Sequence, residues 1–176
     1  MLTGKKIVLG VSGGIAAYKM ANVASMLSKL HADIHVVMTE NATHFITPET
    51  FEVLTGNHCY TDTFDRCMEL HVPHIALGTQ ADAILIAPAS ADVVGKIANG
   101  IADDMLTTCV LPATCPVMLA PSMNVHMYEN PIVQDNMKKL VSYGYEIIEA
   151  DEGYLACRDI GKGKLPPEHV LVDYII

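Results

Sequence analysis

Three residue types in this chain could do chemistry on a carboxylate: an amide at Asn124, an imidazole at His74 and a thiol at Cys157. Asn124 lies in residues 120–128, APSMNVHMY, directly after the apolar run CPVMLA at 115–120. That run reads as a buried strand, ended where Pro121 removes a ladder donor. An amide just past the carboxyl end of a parallel strand sits at the edge of the sheet's ligand crevice. There it can either cap a turn or hold a carboxylate or carbonyl by directed hydrogen bonds. Met123 and Met127 would flank it with apolar walls. His74 opens the segment HIALGTQAD one helix's length before the next apolar strand; a lone histidine there is either a surface residue or a proton carrier. Cys157 lies in GYLACRDIGKGKL at 153–165, where three glycines predict a mobile flap. A thiol on a flap meets substrate more readily than one locked in a core, the setting that suits Cys109 and Cys115.

The elements that must position these groups alternate between short β-branched runs and longer amphipathic ones, the pattern of βαβ units around a parallel sheet. Strands are expected at 5–11, 34–38, 83–87 and 116–120, with a last one at 146–149. Helices are expected at 15–30, from Pro48 through Leu54 to a stop at Gly56-Asn57, at 90–100, 104–110 and 131–143, and from Pro167 onward. Residues 61–70 read as an exposed connection. The fold class is therefore α/β, a three-layer Rossmann-like or flavodoxin-like open parallel sheet with helices on both faces.

With 176 residues and 51% hydrophobic content, the chain is sized for a single domain, 1–176. A net charge of -9, with eleven scattered Lys and Arg, speaks against a nucleic-acid surface. The apolar runs at 7–11 and 83–89 are too short for a signal core or a membrane span, so no membrane partner is expected. Five cysteines without C-x-x-C spacing suggest neither a disulfide framework nor a metal site and fit a reducing, cytoplasmic setting.

The loop Gly10-Val11-Ser12-Gly13-Gly14-Ile15 joins the first strand to the first helix. Its glycines let backbone N–H groups approach a phosphate at the positive end of that helix, although a plain tight turn has the same composition. It is not G-x-G-x-x-G, lacks the P-loop ending, and the second strand ends on Met38-Thr39 rather than on the acid that a nicotinamide ribose would require. Thr39, at the end of the second strand, could donate to the same phosphate, and residues 87–92 (APASAD) bring small side chains and fresh helix N–H groups to the third crest loop.

Taken in order, GVSGGIAAYK, APASA, the stretch NGIADD at 99–104, P-x-M-N-x-x-M around Asn124 and ACRDIGKGK at 156–164 resemble the flavin-dependent cysteine decarboxylases. The resemblance runs from Gly10 to Leu165. It implies FMN as cofactor, contacted by Gly13, Gly14, Ile15, Thr39, Ser90, Ala91, Asp92, Val93 and Ser122. It implies Asn124, Met123, Tyr154, Leu155 and Ala156 around a substrate, with His74, Asn124 and Cys157 catalytic. His74 fits better than His71, because Ile75 and Leu77 then match the family's H-I-x-L. The substrate implied is 4'-phosphopantothenoylcysteine, decarboxylated to 4'-phosphopantetheine in coenzyme A biosynthesis. In that chemistry oxidation of the cysteine to a thioaldehyde supplies the electron sink for loss of carbon dioxide, and returned electrons reduce the resulting enethiol. A homotrimer or a multiple of it, with sites between subunits, is implied as well. Alternatives within the resemblance are a peptidyl-cysteine decarboxylase, which stops at the enethiol, a flavin prenyltransferase, and a non-catalytic regulatory subunit. An electron carrier is the alternative outside it. Arg158 and Lys164 depart from the family's A-C-G-D-x-G-x-G-R, and the flap's substrate contacts are where that departure falls.

Overall fold

The computed structural model describes residues 1–64, 72–154 and 159–176. In chain order the elements are β1 (Lys6–Val11), a 3-10 turn (Ile15–Lys19), α1 (Met20–Lys29), β2 (Asp33–Met38), a second 3-10 turn (Glu40–His44), α2 (Pro48–Thr55), β3 (Cys59–Tyr60), α3 (Pro73–Gln80), β4 (Ala83–Ala89), α4 (Ala91–Ala98), α5 (Met105–Val110), β5 (Val117–Pro121), α6 (Val125–Tyr128), α7 (Pro131–Ser142), β6 (Glu146–Ile147), β7 (Asp151–Tyr154), β8 (Ile160–Lys164) and α8 (Glu168–Asp173).

The main sheet has the order β3-β2-β1-β4-β5-β6, every pairing parallel. This doubly wound order reverses direction between β1 and β4, which opens a crevice at their carboxyl ends. The central strands are buried on both sides, so they lack the polar alternation of a half-solvated sheet. Ile7, Leu9 and Val11 face one core layer together with Met20, Leu27 and Leu171, whereas Val8 faces the other with Ile84, Ile86, Leu106 and Leu140. Close packing on the second layer explains Gly10, since a Cβ there would lie 2.6 Å from Leu106 Cδ1.

Helix ends follow local chemistry. Pro48 starts α2 and Gly56 ends it in the left-handed conformation at φ 75°. Asp104 and Thr107 form a reciprocal capping box on α5. The expected helix at 15–30 is present with a different start: its first turn is 3-10 and the α-helix begins at Met20. The short edge strand β3 is an addition to the sequence reading. So is the β7–β8 antiparallel pair, which lies beyond the expected last strand and forms its own two-stranded sheet. Both escape periodicity: β3 is buried but only two residues long, while β7 and β8 are glycine-bearing and largely solvent-facing, so no apolar alternation marks them. Among the described residues no helix is long and apolar enough to cross a membrane.

Candidate active site

The crevice at the β1–β4 reversal is built from four crest segments. Ser12, fully buried, ties two of them together: its hydroxyl donates to Pro88 O at 2.6 Å and accepts from Ser90 N–H at 2.8 Å. A third link is Ser12 N–H to Pro88 O at 3.3 Å. Ser122, after β5, joins the same ridge by donating its N–H to Ala89 O at 3.1 Å. The loops after β1, β4 and β5 are thus one hydrogen-bonded rim. Ser12 is not among the expected site residues; a hydroxyl flanked by a strand and two glycines is its one mark in the sequence.

Two adjoining hollows run along this rim and share Gly13, Ser90, Ala91 and Met127. The larger, about 480 Å³, is lined by residues that include Gly14, Ile15, Ser122, Met123, Asn124 and Tyr154. The smaller, about 380 Å³, reaches Thr39, Asp92 and Val93. All nine residues expected to touch the cofactor therefore line one hollow or the other. Volumes of this size suit a small-molecule site. Ile15, Tyr18, Met127 and Tyr154 stand 57%, 56%, 48% and 64% exposed around it, apolar surface that a flat ligand would cover.

At the glycine loop, Gly14 is extended and leads into a helical turn whose first N–H groups have no acceptor within that turn. A Cβ on Gly13 would lie 2.4 Å from Asn41 Cβ, whereas one on Gly14 would meet only Pro88 Cγ at 3.9 Å. The first glycine lets the loop press against the Thr39 segment; the second faces open space. Thr39 itself caps the following turn, accepting from Ala42 N–H at 3.3 Å. Ser90 caps α4 through Val93 N–H, and Asp92 pairs with Lys96 at 3.2 Å. Lys96 also meets Asp103 at 3.1 Å and Asp104 at 3.7 Å. Burial works against its charge, but the hydrogen bonds it donates to Asp103 and Asp92 prevail and hold its pKa above the usual lysine value. The rim's acids are thereby partly neutralised where the NGIADD stretch meets it.

Asn124 is the N-cap of α6, so its turn-capping role is realised: Oδ1 accepts from His126 N–H at 2.9 Å. Its Nδ2 donates to Asp159 Oδ2 at 3.0 Å. The β8 strand is fastened to the same turn. Met123 N–H donates to Gly163 O at 3.0 Å, and a Cβ on Gly161 would fall 2.6 Å from Val125 Cγ2. Two of the three glycines that marked the expected flap therefore also serve close packing against the Asn124 turn.

His74 sits in the first turn of α3, half-buried, with Nδ1 shielded from solvent and without a hydrogen-bond partner among the described residues. No residue of α3 lines either hollow. Cys157, Leu155, Ala156 and Arg158 lie outside the described residues, as do Cys67 and His71. Of the other thiols, Cys59 and Cys109 are buried and pushed up to about 12, chiefly by burial, while Cys115 is only partly buried. Thiols held so high are almost wholly protonated at neutral pH and poor nucleophiles.

An open doubly wound sheet with a glycine-lined crevice at its reversal point defines a nucleotide-type cofactor fold. The chain belongs to the flavoprotein family, whose model matches residues 1–176. It is 49% identical over 172 residues to the coenzyme A biosynthesis bifunctional protein CoaBC of Bacillus subtilis, 97% of this chain and 42% of that protein. It thus spans about two fifths of the length of that relative. It is 42% identical to the probable phosphopantothenoylcysteine decarboxylase of Streptococcus mutans, covering 97% of both chains. Among solved structures it resembles a cysteine-to-serine mutant of PPC decarboxylase complexed with pantothenoylaminoethenethiol, with a TM-score of 0.87, 29% identity, and 97% and 96% of the two chains covered.

Proposed function

We propose that this chain is an FMN-dependent decarboxylase that converts 4'-phosphopantothenoylcysteine to 4'-phosphopantetheine in coenzyme A biosynthesis. The observation that carries the reading is the meeting of the separate crest motifs in one crevice that also holds Asn124. Its support from outside is the likeness, over 97% of the chain, to a probable decarboxylase of this substrate.

The residues present fit the cofactor. Gly13, Gly14 and Ile15, with Thr39, would hold its phosphate; Ser90, Ala91, Asp92, Val93 and Ser122 would flank the ring. Bound there, FMN supplies a two-electron acceptor and donor beside the substrate's cysteine. Asn124 orients the substrate carboxylate through an amide hydrogen, with Met123 and Tyr154 beside it on the crevice; Leu155 and Ala156 are the further substrate contacts that the family resemblance implies. His74 moves a proton at the oxidation step. Cys157 gives up a proton when the enethiol is reduced. His74 serves the crevice of a neighbouring copy in a homotrimer or a multiple of it, working in the cytoplasm. That assembly is supported by the solvent-shielded Nδ1, without a partner among the described residues, on a helix that lines neither hollow, and by exposed Val72, Ile75, Ile101 and Leu111.

The test is anaerobic incubation of the purified yellow protein with phosphopantothenoylcysteine, followed by mass analysis of the product. Wild type should release carbon dioxide and 4'-phosphopantetheine, whereas Cys157→Ser should still decarboxylate and accumulate the oxidised enethiol. No carbon dioxide from wild type defeats the assignment; normal 4'-phosphopantetheine from the variant defeats the role of Cys157. A peptidyl-cysteine decarboxylase would accept only a peptide and stop at its enethiol.

A further inference from the structure

The Asn124 side chain is held at both ends, and the holder on the amide nitrogen is a residue with no assigned part in the reaction. Oδ1 accepts from a backbone N–H, which only an oxygen can do. Nδ2 faces the Asp159 carboxylate at 3.0 Å, an acceptor that only a donor can satisfy. Both partners demand the same rotamer, so the amide has one orientation rather than two. We propose that Asp159 is a positioning residue: its carboxylate engages Asn124 Nδ2 and holds the amide in the one orientation that presents it to the crevice where the substrate carboxylate binds.

Three features make this more than a chance surface contact. Asp159 immediately precedes β8, whose Gly163 carbonyl takes the N–H of Met123, the residue before Asn124. Gly161 lets β8 approach Val125, the residue after it. The strand is thus seated on both chain neighbours of Asn124, and the carboxylate arrives at the amide from a fixed base. Asn124 also lines the larger hollow, so the amide that Asp159 aligns is one that faces the crevice. Finally, the cap holds the amide by its oxygen, and the charge-assisted bond to Asp159 holds it by its nitrogen.

This inference rests on the reading of Asn124 as the carboxylate clamp, and the test separates the two. Asp159→Ala and Asp159→Asn are compared with wild type for kcat, KM and ligand affinity, all as the FMN-loaded protein. An asparagine at 159 still offers an oxygen to Asn124 Nδ2; an alanine offers none. Asp159→Ala should lower kcat/KM for decarboxylation about 10- to 100-fold, the size expected for losing a charged hydrogen bond that aligns a reacting group. Asp159→Asn should recover most of that loss. Calorimetric titration of the same proteins should show Asp159→Ala binding a non-reactive, carboxylate-bearing substrate analogue more weakly. Its affinity for 4'-phosphopantetheine, which lacks the carboxylate, should match wild type. Equal weakening of both ligands would mean a merely structural role and overturn the proposal, as would an alanine variant with wild-type kcat/KM. A wild-type protein that binds 4'-phosphopantetheine but neither binds nor decarboxylates the carboxylate-bearing ligand defeats the clamp reading and this inference with it.

Discussion

Replacing Gly163 with alanine tests how firmly β8 must sit on the Asn124 turn. The residue has φ 143°, a backbone conformation that side chains rarely adopt, and a Cβ there would stand 2.3 Å from Met123 O. The obstacle is a backbone carbonyl, so no rotamer change relieves it. Strand and turn would have to part by about 1 Å to reach ordinary contact, the scale on which a misplaced catalytic group loses much of its effect. That displacement breaks the 3.0 Å bond from Met123 N–H to Gly163 O. The strained backbone costs about 1–3 kcal/mol and the lost hydrogen bond about 0.5–1.5 kcal/mol. The expected destabilisation is therefore about 2–4 kcal/mol, or roughly 5–15 °C in Tm for a domain of this size. Thermal melts of the FMN-loaded protein measure it, alongside turnover and the visible flavin spectrum. Gly56→Ala is the control: it also has positive φ, at 75°, but open space around it, so it should cost only about 1 kcal/mol and leave turnover intact. A Gly163→Ala protein that melts within a degree or two of wild type and keeps its kcat would refute the seating argument.

Asn124→Asp keeps a good helix cap, since aspartate serves α6 as well as asparagine does, so the fold and yellow colour should survive. It sets a carboxylate where Nδ2 now donates to Asp159 at 3.0 Å and against the incoming substrate carboxylate. Turnover should fall by roughly a thousandfold or more, and a steady-state assay retaining a tenth of wild-type activity would contradict the clamp. Away from the site, burial works against ionisation of Asp33, but the Asn57 amide at 2.9 Å and then His35 outweigh it and hold its pKa below the usual 3.8. A lowered folded-state value gives stability that is present above the unfolded pKa and lost as pH falls through the folded one. Asn57→Ala should therefore show a smaller loss of stability than wild type between pH 5 and about 3, measured by urea unfolding at each pH. Parallel pH profiles for the two proteins would remove that contribution.

The α/β alternation, the central strands and most helix ends are legible in the chain alone, because these depend on local signals. Unbroken apolar runs such as Ala83–Ala89 mark doubly buried strands, and Pro48, Gly56 and Gly144 punctuate the chain wherever they stand. It also gave the residue types of the crest: glycines after β1, Ser90 after β4 and Asn124 after β5. What it did not contain was their mutual distance, which arises from strand order. Only the placement of β4 beside β1 lets Ser12 bond Pro88 and Ser90 from 76 and 78 positions away. The β7–β8 pair was hidden for a related reason: its glycines read as mobility when taken alone, while two of them exist to admit Val125 and the Met123 carbonyl. The sequence could name Asn124 as an amide at a strand's end. The local cap from His126, two residues on, holds the amide oxygen, but the contact of its nitrogen with Asp159, 35 residues further on, exists only because tertiary packing brings β8 against the turn.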